Sequence, residues 1–65
     1  MDEVMFTVRM LAAMMKISIE DLAVKCEIEP GHLKSVSSGR ATMTAYDMRQ
    51  LSKVTGIPAD RIAIG

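Results

Sequence analysis

Sixty-five residues are enough for one domain spanning 1–65 and exclude two, because a chain this short hides only about 60% of the surface its unfolded form exposes. Apolar residues make up 49% of the chain and charged residues 25%, a globular balance rather than a disordered one, and the lone Cys26 excludes an internal disulfide framework. Eight basic and eight acidic side chains cancel, so affinity for an anionic partner has to come from arrangement and not from total charge.

In chain order, the first helix is expected over residues 3–15. Phe6, Met10 and Met14 recur at four-residue spacing with Val4, Val8, Leu11 and Met15 beside them, which predicts a broad apolar face. Ser18 is placed to cap a second helix, with Asp21 reaching back to the cap amide and Ile17 packing as a hydrophobic staple. Leu22, Ala23 and Cys26 face inward there, and Cys26 reads as a small buried hydrophobe rather than a reactive thiol. Glu20 and Asp21 are explained as negative groups at the positive end of a helix dipole. Pro30 suits the first turn of a third helix, which ends near Gly39. Thr44 and Asp47 repeat the capping pattern and open a fourth helix running to Gly56, with Met48, Leu51, Ser52, Val54 and Thr55 inward or half-inward and Ile57 packing across its end. Pro58, Ala59 and Asp60 begin a last short turn or helix that carries Arg61, Ile62 and Ile64. No strand-like alternation competes, and the expectation is a compact all-α fold. The absence of a basic stretch leading into a long apolar run predicts a soluble, cytoplasmic protein with no membrane span.

The segment from Ser18 to Val36 reads as a supporting helix, a tight turn and a recognition helix, pinned together by Leu22, Ala23, Ile28, Leu33 and Val36. That leaves Gly31, His32, Lys34, Ser35 and Ser38 for the outward side, where a recognition helix approaches base edges in a major groove. Lysine donates to guanine acceptors, serine pairs with several base edges, and histidine donates to an acceptor or a phosphate.

Over nearly its whole length the chain resembles the phage repressor and Cro-type helix-turn-helix family. The residues carrying the resemblance are Arg9 and Leu11, then Ser18, Glu20, Leu22 and Ala23, then Ile28, Leu33, Val36, Gly39 and Arg40, and finally Leu51, Gly56, Ile57, Asp60 and Ile62. It implies a compact five-helix repressor-like domain, operator binding as a dimer, and transcriptional repression or a lysis-lysogeny switch. Departures from the family pattern are Ile19 in place of a glutamine opening the second helix, Glu27 in place of the turn glycine, Ala12 and Met15 at basic first-helix positions, Ser37 and Ser38 before the loop glycine, and Pro30 with Gly31 opening the third helix.

The resulting expectation is a homodimer on a pseudo-palindromic double-stranded operator, with two third helices about 34–36 Å apart. His32, Lys34, Ser35 and Gly31 are the base-contacting candidates. Arg40, Lys16, Ser38, Arg9 and Lys53 are the phosphate candidates, and Ile62 and Ile64 with exposed methionines form the dimer contact. The competing expectation is a protein-interaction module on the same fold, an antirepressor or repressor-binding partner, favoured by the neutral charge and by an exposed Ile19. No enzyme is expected, since no nucleophile comes with a base and an orienting partner and no glycine-rich phosphate loop is present. No metal or other cofactor is expected either, as His32 has no second histidine or nearby cysteine arranged with it.

Overall fold

Thr7 sets where the first helix begins. Its hydroxyl accepts the Met10 amide at 3.1 Å, and α1 runs Val8–Met15 rather than from residue 3. Phe6 cannot join that helix because it bridges in parallel to Ile62. Its N–H donates to the Arg61 carbonyl at 2.8 Å, and its carbonyl accepts from Ala63 N–H at 2.9 Å. The computed structural model describes residues 5–63, so the expected contributions of Val4 and Ile64 lie outside the described residues.

After α1 come α2 (Ile19–Lys25), α3 (Pro30–Ser37) and α4 (Ala45–Thr55), and the described chain closes with a single 3-10 turn, Ala59–Arg61. Among the described residues the domain is all-α, with four helices and a 3-10 turn where five helices were expected. The closing segment stays short because no side chain caps it and Ile62 is already extended to meet Phe6. Among the described residues no helix is long and apolar enough to cross a membrane.

One core unites the elements. Leu11, Leu22, Leu33, Leu51, Ile62, Val36 and Cys26 are its fully buried side chains, each large aliphatic contributing about 1.5–3 kcal/mol relative to exposure. All of Leu22, Ala23, Ile28, Leu33 and Val36 are buried, as their spacing predicts. The inner face of α1 is Val8, Leu11 and Ala12, while Met10 and Met14 point outward at 40% and 56% exposure, against expectation. Two further corrections follow from burial. Ile19 is partly buried against the core, not exposed, and Ile62 is 1% exposed, so it has no surface to give to a dimer contact.

Three helices stop by the same device. Across a residue in left-handed conformation, the following amide reaches back five positions: Ile17 to the Ala12 carbonyl at 3.1 Å, Ile28 to Ala23 at 2.9 Å and Arg40 to Ser35 at 2.8 Å. These bonds satisfy carbonyls that a helix end otherwise leaves bare. The left-handed residues are Lys16 (φ 59°), Glu27 (φ 56°) and Gly39 (φ 83°), and Gly56 (φ 78°) ends α4 by the simpler bond to the Ser52 carbonyl. Only at two of the four positions does glycine relieve the strain of positive φ.

Candidate nucleic-acid interface

Residues 26–29 join α2 to α3, and α4 holds that turn in place. Tyr46 Oη donates to the Glu27 carbonyl and Gln50 Nε2 to the Cys26 carbonyl, each at 3.0 Å. One turn apart on α4, these two side chains satisfy carbonyls at the end of α2 that have no helical partner. Burial raises the Cys26 thiol above its ordinary value, which keeps it a protonated, packed group.

Leu33 and Val36 anchor α3 from below. On the opposite side, Gly31, Lys34 and Ser38 are exposed and Ser35 is half-buried. Their spacing of three, four and seven residues places them on one helical face. Ser35 Oγ donates to the Gly31 carbonyl at 3.0 Å and Ser38 Oγ to the Ser35 carbonyl at 3.1 Å; both hydroxyls keep lone pairs for an incoming donor. Lys34 Nζ lies 3.2 Å from Glu20 Oε1 on α2, with both side chains largely in solvent.

The start of α3 is capped by an acidic side chain. Glu29 Oε2 accepts the His32 amide at 2.8 Å, and Pro30 occupies the first turn, where its missing N–H is no loss. A Cβ on Gly31 would stand 3.0 Å from Glu29 Oε2 and 3.3 Å from Oε1. Gly31 therefore makes room for the cap, a local reason for glycine that is separate from any base contact.

His32 turns away from the exposed face. Its Nε2 meets Asp47 Oδ2 on α4 at 2.6 Å, and Asp47 is almost wholly buried. The same Oδ2 accepts the Thr44 amide at 3.0 Å, while Asp47 N–H donates to Thr44 Oγ1 at 3.1 Å, so the carboxylate closes the capping box of α4. Burial pushes the Asp47 carboxyl up, but the Thr44 amide, the His32 hydrogen bond, the Thr44 hydroxyl and the charge of His32 together hold it below its ordinary value. An ionised carboxylate only accepts hydrogen bonds, so His32 Nε2 is the donor. The base-contacting role expected of His32 gives way to a bolt between α3 and α4.

The phosphate candidates are scattered around this face. Arg40 is exposed just past Gly39, and its amide is locked onto the Ser35 carbonyl. Arg9 lines a cleft of about 180 Å³ with Thr7, Val8, Val36, Ser37 and Ala63, which brings the start of α1 to the end of α3. Lys16 is exposed at the left-handed end of α1. Lys53 lies elsewhere, in a groove along α4 with Met48, Arg49 and Ser52. Among the described residues no group of three or more His, Cys, Asp or Glu side chains could hold a metal ion.

No family model, curated protein or solved structure matches this chain. The chemistry of the face therefore follows from its own side chains. Four of these escaped the sequence reading in the roles they take: Tyr46, Gln50 and Asp47 as the clamp on α2 and α3, and Glu29 as the α3 cap. The one local signal was the four-residue step from Tyr46 to Gln50, both polar-tipped on a helix that packs inward elsewhere.

Proposed function

We propose that this chain is a repressor-like helix-turn-helix regulator that binds double-stranded DNA sequence-specifically as a homodimer, with α3 in the major groove. The observation that carries this reading is the geometry of α3: Leu33 and Val36 are buried below, and Gly31, Lys34, Ser35 and Ser38 line the opposite face. Helices that read DNA present base-contacting side chains in this way, near the N-terminal half of the second helix of the pair.

In this reading Lys34 donates to guanine O6 or N7, and Ser35 Oγ, whose hydrogen goes to the Gly31 carbonyl, accepts from the amino group of an adjacent base. Gly31 lets the backbone approach closely. Arg40, next to them at the end of α3, holds phosphates with Arg9 and Lys16, and Ser38 joins them by turning its hydroxyl hydrogen from the Ser35 carbonyl to a phosphate oxygen. His32 positions α3 and does not read, and Lys53 is the phosphate candidate furthest from α3 in role, since it lines the α4 groove.

Selection from random duplexes, followed by anisotropy titration at several salt concentrations, tests the proposal. The expected result is a dyad-symmetric motif whose preference at one position per half-site relaxes in Lys34→Ala. Arg40→Ala is expected to weaken all sequences alike and to flatten the salt slope by about 0.9. Recovery of no motif, with capture of a regulator protein instead, would support a protein-interaction module; the exposure of Val24 at 67% and Met14 at 56% is the observation in favour of that second reading.

A further inference from the structure

We infer that Glu20 is a specificity-determining residue, which holds the Lys34 ammonium on the reading face and penalises its use on arbitrary phosphates; this rests on the DNA-binding reading above. Lys34 Nζ and Glu20 Oε1 are 3.2 Å apart across the α2–α3 pair, with side chains 55% and 61% exposed. Neither belongs to the core that holds the two helices together, which is Leu22, Ala23, Leu33 and Val36. The α3–α4 bolt is a different kind of contact: Asp47 there is buried and carries two further hydrogen bonds.

A solvent-exposed ion pair is weak and exchanges readily. That makes it poor as structure and suitable as a competitor. On an arbitrary duplex, a phosphate bonded by Lys34 either draws the ammonium off Glu20 or sets its own negative charge beside that carboxylate, a repulsion that the uncharged O6 and N7 of guanine do not bring. At a matching guanine the ammonium has three donors, so it can bond O6 or N7 and keep Glu20 as well. The wrong mode is penalised and the right one is not, which is how discrimination is raised without a new attractive contact.

Anisotropy titrations of the full chain against one random-sequence duplex and one selected duplex, between 50 and 200 mM salt, test this with Glu20→Gln, Lys34→Ala and the double variant. Glu20→Gln is expected to steepen the salt slope on the random duplex by about 0.9, the signature of one added phosphate contact. It is expected to leave the selected duplex less changed, so that the specificity ratio falls. In the Lys34→Ala background the same substitution should add no slope. An equal gain with and without Lys34 would reduce Glu20 to general repulsion and overturn the inference, as would an unchanged slope in Glu20→Gln. Failure of the wild type to bind any duplex would instead overturn the DNA reading and this inference with it.

Discussion

Glu27 holds φ at 56° in the turn between α2 and α3, where a side chain is strained and glycine is not. The left-handed conformation costs an L-residue about 1–2 kcal/mol, and glycine gives back about 0.5–1 kcal/mol through the greater freedom of its unfolded chain. Nothing else is lost on substitution, because the Tyr46 bond goes to the Glu27 backbone carbonyl and the side chain is exposed. Glu27→Gly is therefore expected to stabilise the fold by about 0.5–1 kcal/mol, raising Tm by about 2–8 °C in a domain of this size. Gly39→Ala runs the same comparison backwards. Its φ is 83° and a Cβ there meets nothing within 4 Å, so the loss, about 1 kcal/mol, isolates the backbone term from any clash. Thermal and urea unfolding of both variants give the assay. A Glu27→Gly protein no more stable than wild type, beside a clearly weakened Gly39→Ala, would show that the turn is not strained as argued.

Removing the α3–α4 bolt should be felt in stability and in pH response. Asp47→Asn withdraws a buried carboxylate that accepts from both His32 and the Thr44 amide, an expected loss of about 2 kcal/mol. Because the Asp47 carboxyl sits below its ordinary value in the folded chain, its contribution is fully present above about pH 4 and fades as the pH falls through the folded-state value. Urea midpoints between pH 2 and 7 should accordingly converge for wild type and Asp47→Asn at the acid end; parallel curves throughout would contradict the assignment. His32→Ala should also destabilise while leaving the sequence preference of any selected duplex intact, since His32 faces α4; a changed motif in footprinting would return His32 to the reading face. Gly31→Ala should disturb the Glu29 cap, visible as a loss of hydrogen-exchange protection at the His32 amide, and full protection there would count against the close approach.

Signals carried within one turn of helix were legible in the sequence. Ser18, Thr44, Gly39 and Gly56 announce helix starts and stops through chemistry that needs no distant partner, and the apolar spacing of Leu22, Ala23, Leu33 and Val36 places their burial directly. Contacts between remote segments were not legible. Phe6 leaves the first helix because of Ile62, and no local pattern at residue 6 reports a strand-like partner so far along the chain. The same holds for His32 with Asp47 and for Lys34 with Glu20. How the broad apolar face of α1 divides, with Met10 and Met14 outside, was not legible for a different reason. Where 49% of the chain is apolar, apolar character alone does not separate the buried stripe of α1 from its outer face, and the helix phase becomes readable only once Thr7 is known to be its cap.

If α3 reads DNA as proposed, the size of its exposed face bears on why two copies would be needed. On the proposed DNA reading, Lys34 as donor and Ser35 as acceptor are its two base-reading side chains, and at about 1–3 kcal/mol for each good contact one protomer would supply about 2–6 kcal/mol of discrimination. Specific binding commonly exceeds non-specific binding by about 4–10 kcal/mol, so a single α3 reaches only the lower part of that range. Two protomers on a dyad reach about 4–12 kcal/mol by the same contacts, without any net positive charge to strengthen the non-specific mode. Zero net charge, which weighs against a DNA-binding monomer, would be an asset in the proposed dimer: it lowers the background against which two small reading faces would have to be distinguished. In the proposed dimer the contact joining the protomers would be as decisive as the reading face, and it would have to form without Ile62, which the core already holds at 1% exposure.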